Sequence, residues 1–102
     1  MTVAIIAKFN KLAYQEEVPI DEGLKYIEEM LLNIKKEKEE GVLLDVFGMP
    51  GEDSTMWIYD FDSLEILEEY FMTESDRYLT YELHYLTDFE KVMRKKLEKG
   101  VI

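Results

Sequence analysis

Cysteine is absent from the chain, which removes disulfide scaffolds, zinc ribbons, thiolate metal centres and cysteine nucleophiles together. Histidine occurs once, proline twice and glycine five times among the 102 residues. No apolar run approaches the roughly 20 residues that a membrane span requires. Nor does the first stretch of sequence carry a basic region followed by a long hydrophobic segment, so the chain reads as a soluble cytoplasmic protein with no membrane partner. Basic charge is also scarce, with 12 Lys and Arg against 23 Asp and Glu. From Glu39 to Glu90 fifteen carboxylates face a single cation, Arg77. A nucleic-acid partner would need a dense basic footprint, and this distribution disfavours one, so no nucleic-acid partner is expected. Solubility is the plainer account of the acidic charge.

What remains is a 47% hydrophobic share, enough for one domain, residues 1–102, standing on its apolar core. Thr2–Phe9 is apolar and β-branched, which predicts a strand. A polar stretch, 10–17, follows. Beyond Pro19, the residues Ile20, Leu24, Ile27, Leu31 and Ile34 fall at helical spacing on one face. Asp21 is the expected N-cap and Gly41 the stop. Val42–Phe47 and Thr55–Asp60 read as two strands of a hairpin. Pro50 and Gly51 suit the two central positions of a type II turn, because proline presets φ and glycine accepts a positive one. Asp62–Glu65 resembles a capping box ahead of a short helix bearing Leu64, Leu67, Tyr70 and Phe71. Tyr78–Leu86 alternates strictly, with Leu79, Tyr81, Leu83 and Tyr85 on one face and Thr80, Glu82 and His84 on the other. Thr87–Glu90 is a second capping box, before an amphipathic helix carrying Phe89, Val92, Met93 and Leu97 and closed by Gly100.

The order β-α-β-β-α-β plus a terminal helix predicts an α+β, ferredoxin-like sandwich: a four-stranded antiparallel sheet with the two main helices on one face and an extra C-terminal helix. Strand alternation then divides the sheet. Leu44, Val46, Met56 and Ile58 are expected to join the apolar side of the last strand beneath the helices. Leu43, Asp45, Phe47, Thr55, Trp57, Tyr59, Thr80, Glu82 and His84 are expected on the open face. Such a face is too aromatic for water and too polar for ordinary core. A second copy of the chain covering it would give a homodimer or a higher homo-oligomer.

Within that covered face, Asp45, Glu82 and His84, with Lys8 nearby, would line a cavity walled by Phe47, Trp57 and Tyr59. A few convergent polar groups among aromatic walls suit a small organic ligand. An imidazole beside carboxylates can take and return a proton near neutral pH, which makes His84 the candidate proton carrier and Asp45 and Glu82 its partners. Each has a plainer reading. His84 can be a hydrogen-bonded interface histidine and Asp45 an ion-pair anchor. Trp57 and Tyr59 can simply pack an interface. Asp60 and Asp62, at a strand-to-helix junction, read as caps and not as metal ligands. With a single histidine, no cysteine and no nucleotide fingerprint, neither metal nor organic cofactor is expected.

The run Gly41–Phe47, the hairpin, Trp57–Ser63, a short helix and Tyr78–Leu83 together resemble the muconolactone isomerase-type group of dimeric α/β-barrel proteins over the last two-thirds of the chain. The resemblance implies a dimeric α/β barrel and, from the group's isomerases, proton movement within a small unsaturated molecule by one acid/base group in a closed pocket. The chain has Thr87-Asp88 and a helix where the group has a His-Pro ending, and it is poor in arginine. A non-catalytic ligand-binding or assembly protein on the same scaffold is the alternative expectation.

Overall fold

The computed structural model describes residues 1–63, 65 and 78–100. The described elements are strand β1 (Thr2–Phe9), helix α1 (Lys11–Glu17), helix α2 (Ile20–Glu39), strands β2 (Leu43–Met49), β3 (Ser54–Asp60) and β4 (Leu79–Tyr85), and helix α3 (Phe89–Lys99). The helix expected over 64–73 lies outside the described residues, apart from Glu65. The strands form one antiparallel sheet in the order β2-β3-β1-β4. This α+β architecture is consistent with a ferredoxin-like fold. No helix among the described residues is long and apolar enough to cross a membrane.

Local chemistry accounts for most boundaries. Asn10 caps α1, its side-chain oxygen accepting from the Ala13 N–H at 3.2 Å. The stretch expected to be merely polar is therefore a two-turn helix. α2 starts one residue before the expected Asp21 cap: Pro19 stands at the N-cap with no side-chain bond, and its carbonyl accepts from Gly23 N–H at 3.0 Å. Asp21 instead sits in the first turn, where a carboxylate opposes the positive end of the helix dipole. At α3 the cap is Asp88, which accepts from the Lys91 N–H at 3.0 Å, rather than Thr87. The hairpin turn matches its expected type, since Gly51 has φ +89° and Glu52 N–H donates to the Met49 carbonyl at 3.3 Å.

Strand pairing assigns every side chain to a face. Leu43, Tyr59, Val3 and Tyr85 form one row across the sheet, and Val46, Trp57, Ile5 and Leu83 the next. These rows lie on the α2 side: Val3, Ile5, Leu43, Tyr59 and Phe61 are the buried core, with Ile34 of α2, Val46 and Trp57 packed against it. Removing a side chain such as Leu43 would cost about 2–5 kcal/mol. The other face carries the rows Asp45–Ile58–Ala4–His84, Phe47–Met56–Ile6–Glu82 and Met49–Ser54–Lys8–Thr80.

Two expectations about these faces are corrected. Trp57, Tyr59 and Thr55 do not lie on the open face, and Met56 and Ile58 do. In β3 both alternating sets are apolar, so alternation alone cannot fix its phase. Leu43 is likewise buried beneath α2, because the register of β2 against β3 shifts between Leu43 and Asp45 and reverses the alternation there. β4 keeps the expected assignment. The aromatic side chains of β3 and its extension stack along the helix-side face: Trp57 on Tyr59 at 6.5 Å between ring centres, and Tyr59 on Phe61 at 5.1 Å.

The molecule is drawn out to 59 × 29 × 21 Å, with a radius of gyration of 17.0 Å, against about 13 Å for a compact chain of this length. Helix α2 packs on β2, whereas α3 packs against no other described element. Both helices leave apolar side chains exposed.

Candidate active site

The open face has an apolar centre and two polar edges. Ile6, Met56 and Ile58 lie along the middle strands and are half-buried. Glu82 and His84 stand two residues apart on the edge strand β4, so the alternation of a strand turns both side chains to the same side. Their closest atoms, Glu82 Oε2 and His84 Nε2, are 3.4 Å apart, and both side chains are accessible, 72% and 52% respectively. A carboxylate in this position accepts a hydrogen bond from the imidazole when Nε2 carries the proton.

Lys8 stands one strand over and one row down, a diagonal neighbour of Glu82 within reach of a long side chain. Thr80 and Ser54 flank Lys8 on either side in the same row. Together with Glu52 and Glu82 they line an open cleft of about 630 Å³ at this end of the sheet. A second cleft of about 730 Å³ meets it at Lys8 and runs past Asn10, Gln15 and Tyr78. Lys8 is thus the cation common to both. Alternation in β4 already puts Thr80 on this face, whereas Ser54 escaped the sequence reading. Only the pairing of β1 with both neighbours brings the two beside Lys8, an adjacency that alternation within one strand does not carry.

Asp45 occupies the same row as His84 but on the opposite edge strand. Three strand spacings, about 14 Å, separate the two within one chain. Its carboxylate accepts from the Val46 N–H at 2.8 Å and pairs with Lys38 of α2 at 3.7 Å. These contacts match the ion-pair-anchor reading of Asp45. Phe47 is on the open face, in the row of Glu82, and is 49% exposed.

Trp57 and Tyr59 are separated from this group by the thickness of the sheet. The Trp57 indole N–H donates to Thr55 Oγ1 at 2.7 Å, and the Tyr59 hydroxyl donates to Glu37 Oε2 of α2 at 3.4 Å. The Tyr59 contact reaches α2, the Trp57 bond stays within β3, and both rings pack with the core on the α2 side. Of the seven residues expected at the site, the chain therefore brings together Glu82 and His84, with Lys8 a diagonal neighbour of Glu82 only, and His84 lines neither cleft. Phe47 shares their face, Asp45 lies at its far edge, and Trp57 and Tyr59 lie behind it. No group of three or more His, Asp or Glu side chains suited to a metal ion occurs among the described residues.

No protein-family model, curated protein or solved structure matches this chain.

Proposed function

We propose that the open sheet face is a small-molecule site in which His84 and Glu82 transfer a proton on an unsaturated or aromatic substrate, without metal or organic cofactor. The observation carrying this reading is the 3.4 Å approach of His84 Nε2 to Glu82 Oε2 on a sheet face that no described helix covers. Proton transfer needs an acid/base group, an orienting partner and an apolar platform for the carbon skeleton. In this reading His84 carries the proton and Glu82 holds its ring. Lys8 attracts a carbonyl or carboxylate of the substrate, and Ile6, Phe47, Met56 and Ile58 supply the platform.

Closure comes from a second copy. In a homodimer joined through these faces, as in a dimeric α/β barrel of the muconolactone isomerase type, the apolar centre is buried and the His84 edge is screened from water. Asp45 of a second copy would enter that closed space from the opposite edge. The reading is supported by an apolar centre bounded by ionisable edges, an arrangement that favours a covered face with a polar pocket at its margin.

The test is an isomerisation screen across small lactones, enones and quinones, followed by substitution of His84. Losing a general acid/base costs about 10²- to 10⁴-fold in rate. His84→Ala should lower kcat/KM by that amount on any substrate turned over. Full activity in His84→Ala removes His84 from the mechanism. If no compound is turned over but one binds and perturbs the His84 ring resonances, the face is a binding site without catalysis.

A further inference from the structure

Helices α2 and α3 carry apolar surfaces that no other described element covers. On α2, Ile20, Leu24, Ile27 and Leu31 are 81%, 56%, 46% and 58% exposed, although they fall on one face. On α3, Phe89 and Leu97 are 74% and 84% exposed, and Val92 and Met93 complete the stripe. The stripes are similar in length: at 1.5 Å per residue, Ile20 to Leu31 spans about 16 Å and Phe89 to Leu97 about 12 Å. An amphipathic helix gains its stability mainly by burying such a face, so two exposed stripes of this kind constitute a binding surface and its complement.

Charge identifies the occupant. Over Ile20–Leu31, α2 carries Asp21, Glu22, Glu28 and Glu29 against Lys25 alone. In contrast, α3 carries five of the twelve cations of the chain, Lys91, Arg94, Lys95, Lys96 and Lys99, against Glu90 and Glu98. Helical periodicity places Lys96 within the α3 stripe, Lys99 on one flank and Arg94, paired with Glu90 at 2.9 Å, on the other, and Asp21 and Glu28 on one flank of the α2 stripe. The two stripes are thus similar in length and opposite in the sign of the charge around them. They also attach to opposite sides of the sheet: α2 packs on edge strand β2, and α3 follows edge strand β4 after only Leu86, Thr87 and Asp88.

We infer that α3 is an exchanged arm, whose apolar stripe docks on the α2 stripe of a second copy while its cations pair with that copy's acidic flank. Two-fold symmetry makes the exchange reciprocal, so both stripes of both chains are covered and the assembly closes at two. The inference requires the second copy of the proposed homodimer but not the reaction assigned to its site. A basic amphipathic helix can instead lie on an anionic lipid surface. The surplus of carboxylates over the rest of this chain opposes that alternative.

The absence of native cysteine makes the contact directly readable. Ile27→Cys and Met93→Cys, each central in its stripe, are prepared separately in the full-length chain, mixed, and treated with a short thiol-to-thiol cross-linker. The expected product is a cross-linked heterodimer. It should be lost when Leu97→Glu is added to the Met93→Cys chain and retained with Leu97→Met. Leu97 is too exposed for either change to unfold the chain. Met56→Lys, on the sheet face, separates the two ideas: loss of face pairing with persistence of the cross-link leaves the arm standing. Absence of a heterodimer on mixing, or cross-linking of an Ile27→Cys/Met93→Cys chain only to itself at every dilution, overturns the inference. So does binding of α3 to phosphatidylcholine vesicles containing phosphatidylglycerol with no cross-link between copies.

Discussion

The hydroxyl of Tyr14 lies 2.8 Å from the point where a side chain on Gly23 would begin. Gly23 is the one buried residue of α2, and the Tyr14 ring packs tilted against Phe9 and edge-on against Tyr78, with ring centres 5.0 and 5.3 Å away. The glycine therefore leaves room for the Tyr14 side chain against α2, at the expense of helix propensity.

Gly23→Ala alone should bring little or no gain, because the new methyl meets the Tyr14 oxygen. In a Tyr14→Phe background the obstacle is gone, and Gly23→Ala should stabilise by up to about 1 kcal/mol, the helix preference of alanine over glycine. Urea unfolding of the four combinations measures this coupling. Strict additivity would show that Tyr14 is not what the methyl meets.

Tyr59 separates core from interface. Tyr59→Phe removes the long hydroxyl contact to Glu37 and should cost about 1 kcal/mol. Tyr59→Ala removes a buried ring between two others and should cost about 3–5 kcal/mol. Chemical denaturation reads both. Had Tyr59 served only a contact between copies, Tyr59→Ala would change the association constant and leave unfolding within one chain unaffected.

Asp45 can be assigned by a conservative change. Asp45→Asn keeps the oxygen that accepts from Val46 and loses the charge facing Lys38, a half-exposed pair worth about 0.2–1 kcal/mol. The expected result is a small loss of stability that shrinks at high salt, with catalysis intact. A large fall in kcat would instead place Asp45 in the proton path.

Glu82→Gln should lower turnover less than His84→Ala, since the amide oxygen still orients the ring while the stabilising charge is gone. Lys8→Met should raise KM more than it lowers kcat. Steady-state kinetics on a substrate from the isomerisation screen separates the two effects, and equal losses in all three variants would contradict the distinct roles.

How far the sequence could be read depended on contrast within each strand. In β4, polar Thr80, Glu82 and His84 alternate with Leu79, Tyr81, Leu83 and Tyr85, so the face carrying the His84–Glu82 pair was legible. In β3, Trp57 and Tyr59 alternate with Met56 and Ile58, and hydrophobicity gives no reason to prefer either phase. Position in the fold decides it, through the packing of Ile34 and the reach of Glu37. β1 was legible end to end as a strand, but the meeting of Lys8 with Ser54 and Thr80 is a property of register. The separation of Asp45 from His84 follows from strand order, which pairs each with a middle strand and not with the other.

The register shift between Leu43 and Asp45 bears on how the protein behaves at high concentration. β2 is an edge of the sheet, and a straight edge offers its unused amide groups to any passing strand, the first step of fibre growth. The extra residue kinks this one, and Asp45 and the side-chain-free Gly48 further weaken it as a template. Deleting Leu44 would straighten the strand and restore an unbroken ladder of amides. The consequence would be a chain that keeps its core and acquires a tendency to polymerise.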